Sequence, residues 1–169
     1  MPAQQGYNST DFSGRFAFRD WPNEAVPKVA AGVYAIWEGD RLVYCGMSGR
    51  GYEKKLQQNP RKLGLVTRLG SHASGRLSGD QFCVYVANRL VIPAPGPEEL
   101  RRFATGDLTL DQLTRSYIHE SLAYQYCLVA GSSEAYQLED RCRRGLVFAQ
   151  KPSLNPVDQA APNNLTGSR

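Results

Sequence analysis

Residues 32 to 51, GVYAIWEGDRLVYCGMSGRG, decide how this chain folds. Two apolar runs, Val33 to Trp37 and Leu42 to Cys45, flank Gly39-Asp40, a pair suited to a tight turn, so the stretch reads as a β-hairpin. Each run also carries a tyrosine close to a glycine: Tyr34 follows Gly32-Val33 and Tyr44 precedes Cys45-Gly46. The second run then spills into a Gly- and Ser-rich bend. A hairpin alone requires neither feature.

The whole chain sets the limits. Its 169 residues, 41% of them hydrophobic, suit one domain large enough to bury a core without staples. No apolar run approaches the roughly 20 residues of a membrane helix, and the polar start MPAQQGYNSTDF lacks the charged and apolar regions of a secretory signal. A cytoplasmic location, without membrane contact, is the expectation. Cys45, Cys83, Cys127 and Cys142 are scattered through apolar segments, with neither the close pairs of a zinc site nor the density of a disulfide scaffold. They read as buried thiols.

The net charge of +4 says little, but its distribution says more. Arg50, Lys54, Lys55, Arg61, Lys62 and Arg68 face a single acid, Glu53, and a second cluster holds Arg141, Arg143, Arg144 and Lys151. A polyanion such as nucleic acid suits such patches; from charge alone a solvated basic surface suits them equally. With Arg76, the residues expected to touch a phosphate backbone are Arg50, Lys54, Lys55, Arg61, Lys62, Arg143 and Lys151.

Residues 1 to 28 are polar and irregular and read as an N-terminal extension; 157 to 169 read as a flexible tail, leaving one domain over 29 to 156. After the hairpin, a helix is expected from Leu63 to Ala73 and a strand over Phe82 to Ile92. A Pro-rich, then helical insert covers about 88 to 120, with a helix around Leu113 to His119. YQYCLV reads as another strand. Ser132 and Ser133 are candidate N-caps for a last helix reaching Gly145.

Two helices carry the chemical signal. With Leu65 at zero on a helical wheel, Leu69 lies about 40° to one side, and His72 and Arg68 about 20° and 60° to the other. An Arg and a His thus share the inward flank, four residues apart. They are costly there unless paired. One reading is a His bonded to a backbone carbonyl and an Arg reaching water. The other is a cleft that receives an anion, with Arg as a forked clamp. In the last helix Glu139 borders the apolar stripe Ala135, Leu138 and Cys142, where it could pair with Arg143 or hold a hard divalent cation such as Mg²⁺.

Together these motifs resemble the GIY-YIG nuclease family, most of all its restriction-endonuclease-like branch. Gly32-Val33-Tyr34 and Tyr44-Cys45-Gly46 stand where the family has its two tripeptides, followed by Met47, Ser48 and Gly49. Arg68-x-x-x-His72 matches its catalytic Arg helix, AYQLE ending at Glu139 its metal-binding helix, and Lys151-Pro152-Ser153-Leu154-Asn155 its closing Pro-x-x-Asn motif. The resemblance covers residues 32 to 155. It implies an α+β fold: a central, mainly antiparallel three-stranded sheet flanked by helices, with the inserted segment as an accessory.

It also implies a metal-dependent DNA endonuclease that leaves 5′-phosphate and 3′-hydroxyl ends. Tyr34 would accept the proton of the attacking water, as a phenolate favoured by nearby positive charge, since a free Tyr titrates near 10. Arg68 would grip the non-bridging oxygens. Glu139 would hold one Mg²⁺, for which Mn²⁺ substitutes. Tyr44 and His72 would orient the water or assist proton movement, Asn155 would steady the site, and the glycines would let backbone and phosphate approach closely. Cutting both strands would favour a homodimer. The alternatives are a non-catalytic nucleic-acid-binding module and a nuclease acting on single-stranded DNA or RNA.

Overall fold

A computed structural model describes residues 6–156; the five residues before them and the expected tail at 157–169 lie outside the described residues. The elements run β1 (Phe16–Ala17), β2 (Val29–Ala30), β3 (Gly32–Glu38), β4 (Arg41–Ser48), α1 (Tyr52–Leu56), β5 (Leu63–Gly64), α2 (Leu65–Ala73), α3 (Gln81–Val86), α4 (Pro97–Thr105), α5 (Leu110–Ser121), β6 (Leu122–Leu128) and α6 (Ser132–Arg143). The fold is α+β: a four-stranded antiparallel sheet in the order β1-β6-β3-β4, a small parallel pair β2-β5, and six α-helices among the described residues.

The hairpin forms as its sequence dictates. Gly39 takes the left-handed conformation of the turn, and β3 and β4 pair in a register that sets Tyr34 opposite Gly46 and Ile36 opposite Tyr44. Residues opposite each other across a ladder share a face, so both tyrosines point the same way. On that face Tyr34, Ile36 and Tyr124 pack against Leu65 and Leu69 of α2, Phe82 and Val86 of α3 and Ile118 of α5. On the other face Val33, Ala35, Trp37, Cys45 and Cys127 pack against Ala135, Leu138 and Cys142 of α6. Strand β3 is therefore covered on both sides, which is why it reads as an unbroken apolar run. All four cysteines are buried and free, as expected.

Four expectations change. Phe82 to Ile92 is not a strand: α3 covers Gln81–Val86 and continues as a π-helix over Ala87–Val91. Its valines and aromatics favour strands, but Asp80 caps the segment by accepting from the amides of Phe82 (3.0 Å) and Cys83 (3.3 Å). The buried positions Phe82, Cys83, Val86 and Ala87 then recur at helical spacing. The sheet has four strands rather than three, because Phe16–Ala17 adds to β6. Residues 6 to 28, within the expected irregular extension, accordingly add to the core, where Phe12, Phe18 and Val26 are buried. The segment 88 to 120 divides, since α4 buries no residue whereas α5 buries Thr114 and Ile118. No helix among the described residues is long and apolar enough to cross a membrane.

Candidate active site

A cleft of about 390 Å³ opens where β4 runs into the bend before α1, and Tyr34, Tyr44, Arg50, Lys55, Arg68 and Glu139 all line it. Tyr34 and Arg68 come from the face covered by α2, whereas Glu139 comes from α6 on the opposite face. They can meet because β4 is an edge strand. Residues 150 to 155 pair along that edge only as far as Cys45: Leu154 N–H donates to Val43 O (2.8 Å), Cys45 N–H donates to Asn155 Oδ1 (2.8 Å) and Asn155 Nδ2 donates to Cys45 O (2.9 Å). Asn155 thus lies outside the cleft and steadies it by holding the β4 backbone. Beyond Cys45 the strand borders the cleft through Gly46, Met47 and Ser48.

The glycines of the two tripeptides make room for protein groups. A Cβ on Gly46 would lie 2.5 Å from Tyr34 Cζ and nearer still to its hydroxyl, so the phenol ring occupies the space a side chain would need. A Cβ on Gly32 would lie 2.5 Å from Leu65 Cδ1 and 2.6 Å from Cys127 O, so that glycine admits α2. Of the close approaches expected at these glycines, that of backbone is seen at Gly32, and Gly46 lines the cleft.

Of Arg68 and His72, both expected on the inward flank of α2, the structure buries only His72. Leu65, Leu69 and His72 are buried, while Arg68 stays exposed at the cleft. Tyr34 Oη lies 2.8 Å from His72 Nε2, and His72 Nδ1 lies 2.8 Å from Asp80 Oδ2, which also accepts from Ser71 Oγ at 2.6 Å. Tyr34, His72 and Asp80 are 1%, 1% and 4% exposed, so the chain of groups runs from the cleft floor into the core. Asp80 was not among the site residues expected from sequence; its one signal was an Asp placed before an apolar run, the pattern of an N-cap. Tyr44 stands beside this line, its ring 6.4 Å from that of Tyr34 and 6.1 Å from His72.

Burial governs the titration of the site. It pushes the Tyr34 phenol well above its ordinary value, Tyr44 adds to the rise, and Arg68 opposes it without prevailing. Burial likewise raises Tyr44 to about 12, against the pull of Arg68. The resting phenolate expected for Tyr34 is therefore corrected: the free protein holds a neutral phenol. Burial also lowers His72, outweighing the attraction of Asp80, so the imidazole rests neutral. For Asp80 burial acts upward, but hydrogen bonding from His72, Ser71 and the Cys83 amide prevails and brings it down to about 2. Glu139 is raised by burial, partly offset by Arg143 and Arg50.

The basic residues divide. Arg50, Lys55 and Arg68 line the cleft. Lys54, Arg61 and Lys62 are exposed on or just after α1, the arm that walls it. That arm is fastened across the site, since Glu53 accepts from the Ser132 amide (2.7 Å) and hydroxyl (2.9 Å) at the start of α6. Arg143 lies one turn beyond Glu139 on α6 and donates to Pro156 O (3.2 Å). Arg76 and Lys151 are exposed and do not line the cleft. Ser48 Oγ, buried at the cleft wall, has no hydrogen-bond partner among the described residues.

Among the described residues, no group of three or more His, Cys, Asp and Glu side chains converges to cage a metal. A single half-buried carboxylate at a cleft wall, as Glu139 offers, does fit Mg²⁺, which keeps most of its waters and binds through one or two carboxylates plus substrate phosphate. Comparison with protein-family models, curated proteins and solved structures finds no match to this chain.

Proposed function

We propose that the chain is a metal-dependent endonuclease of the GIY-YIG type, hydrolysing DNA phosphodiester bonds to 5′-phosphate and 3′-hydroxyl ends. The observation that supports this reading most is the convergence of Tyr34, Arg68 and Glu139, from three separate segments and both faces of the sheet, on one cleft walled by basic residues.

Hydrolysis needs an activated water, neutralised charge on the transition state and a stabilised leaving oxygen. Arg68, charged at every working pH, grips the non-bridging oxygens and holds the scissile phosphorus over Tyr34. Tyr34 takes a proton from the attacking water. Burial keeps its own proton in place at rest, so that proton must leave as the water's arrives, and His72 Nε2 is the acceptor in reach at 2.8 Å. Tyr44 crowds the same floor and orients the water, while Arg50 and Lys55 hold flanking phosphates. When bound at Glu139, Mg²⁺ or Mn²⁺ supplies Lewis-acid stabilisation of the departing 3′ oxygen.

The test is a cleavage panel of duplex, nicked, branched and single-stranded DNA and RNA with Mg²⁺ or Mn²⁺. Product ends are read by ligation, which requires 5′-phosphate and 3′-hydroxyl termini. Arg68→Ala is expected to abolish cleavage while leaving circular dichroism unchanged. Salt-sensitive DNA binding with no metal-dependent turnover of any substrate would make the chain a binding module instead.

A further inference from the structure

We infer that Asp80 is a positioning residue of this site: its carboxylate fixes His72 as the Nδ1–H tautomer, which makes the Tyr34 hydroxyl a donor to His72 and turns its oxygen lone pairs toward the cleft. The inference rests on the nuclease reading for its use in catalysis, but its geometry stands on the hydrogen bonds alone.

Every position around the carboxylate is assigned. Oδ1 accepts from the amides of Phe82 and Cys83, and Oδ2 faces the Ser71 hydroxyl and His72 Nδ1. An ionised carboxylate can only accept, so Nδ1 must carry hydrogen. A buried, neutral imidazole has one hydrogen to give, which leaves Nε2 as an acceptor. The only polar group among the described residues set against Nε2 is the Tyr34 hydroxyl at 2.8 Å, which therefore donates. A phenol donating inward turns its lone pairs outward, where one meets the Arg68 guanidinium and the other is left to accept from water.

The proton count closes. The water loses one proton to Tyr34 as its oxygen bonds to phosphorus. Tyr34 passes its own hydrogen to His72 Nε2, and the resulting imidazolium sits against the Asp80 carboxylate. The 3′ oxygen departs with the bonding pair and takes a proton from solvent; His72 returns its proton through Tyr34 when the product leaves. The charged and titratable groups facing His72 are Asp80 and Arg68, with Tyr34 and Tyr44 ringing it and the tilted Phe82 ring centred 4.6 Å away. Asp80 favours the imidazolium and Arg68 opposes it. A substrate phosphate bound to Arg68 removes that opposition, so the transfer becomes favourable only in the complex.

Asp80 also caps α3, and Asp80→Asn separates the two roles. Asn caps a helix as well as Asp. To keep accepting from both amides, however, its oxygen must take the Oδ1 place, which turns the NH₂ toward His72 Nδ1. His72 then becomes Nε2–H and Tyr34 an acceptor.

The chain has only two histidines, and His119 Nε2 lies 2.7 Å from Ala73 O, which fixes His119 as Nε2–H. Long-range ¹H–¹⁵N spectra of the labelled protein at neutral pH should show one histidine of each tautomer, and two Nε2–H histidines in Asp80→Asn. For cleavage of plasmid DNA with Mg²⁺, kcat of the variant should fall about a thousandfold or more, on the scale of the same change in a Ser-His-Asp triad, with KM little altered. A wild-type His72 that is Nε2–H or doubly protonated overturns the inference, as does a folded Asp80→Asn protein with wild-type kcat. Should that variant fail to fold, the wild-type spectrum still decides. A wild-type protein with the expected tautomer that cleaves nothing refutes the nuclease reading and with it any catalytic use of the relay; one that cleaves with His72 as Nε2–H refutes the relay alone.

Discussion

The Tyr34 ring and Gly46 occupy one space, and Gly46→Ala tests how tightly. Gly46 is not among the glycines at positive φ, so alanine meets no backbone strain there. The cost is steric: the new methyl would stand 2.5 Å from Tyr34 Cζ, where ordinary contact begins about an ångström further out. Tyr34 is only 1% exposed, so the ring cannot swing aside without moving its neighbours. Displacing it by about 1 Å stretches its 2.8 Å bond to His72 beyond hydrogen-bonding range. Overpacking of this kind costs about 1–3 kcal/mol and the lost bond about 1 more, so urea unfolding should show a loss of about 2–4 kcal/mol. Turnover should fall about a hundredfold, the usual consequence of a 1 Å misplacement of a reacting group. In a Tyr34→Val background, which has no atoms beyond Cγ, the same alanine should cost nothing and gain about 0.5 kcal/mol from its better strand propensity. A Gly46→Ala protein as stable as the wild type, or an equal penalty in both backgrounds, would refute the argument.

The remaining expectations concern charge. Glu139→Gln should abolish cleavage yet raise stability at pH 7: burial raises the folded pKa of Glu139, so its ionised form opposes folding above that range and the opposition vanishes as pH falls below it. Mg²⁺ should raise the melting temperature of the wild type and not of Glu139→Gln. Asp80 runs the other way. Held at about 2 against an ordinary 3.8, it stabilises the fold above the ordinary value by on the order of 2 kcal/mol, lost as pH falls through about 2. Acid titration of Asp80→Asn should lack that loss. Glu53→Ala should release the basic arm, read as faster trypsin cleavage at Arg50, Lys54, Lys55, Arg61 or Lys62 with little change in melting.

What the sequence made legible follows from local physics. The hairpin, α2, β6 and α6 are set by apolar periodicity and turn chemistry, which neighbouring residues carry. The pairing of Arg68 and His72 on one flank was visible because a helix repeats every 3.6 residues. The segment at 82 to 92 was not, because its valines and aromatics suit a strand and the capping carboxylate lies just before it. Nor was β1: two residues carry no periodic signal, and Phe16–Ala17 becomes a strand only because β6 has an edge to extend. Asp80 escaped for a related reason, since its partners are Ser71 and His72 on another helix and the amides of Phe82 and Cys83. No spacing rule announces a bond that the packing of α3 against α2 creates.

The location of the cleft follows from the same packing. A central strand covered on both faces would hold groups from opposite faces apart, as β3 does along most of its length. Strand β4 has only one neighbour in the sheet, and residues 150 to 155 occupy its outer side no further than Cys45. Past that point a glycine leaves the edge bare, so a buried phenol on one face and a half-buried carboxylate on the other share an opening. The division of burial then sets what each can do. Arg68 and the α1 lysines stay in solvent, where they can meet a phosphate without first being stripped of water. Tyr34 and His72 are dry, where a proton moves between them only when charge arrives to favour it. Moving the same residues to a central strand would keep their chemistry and remove the place where they meet.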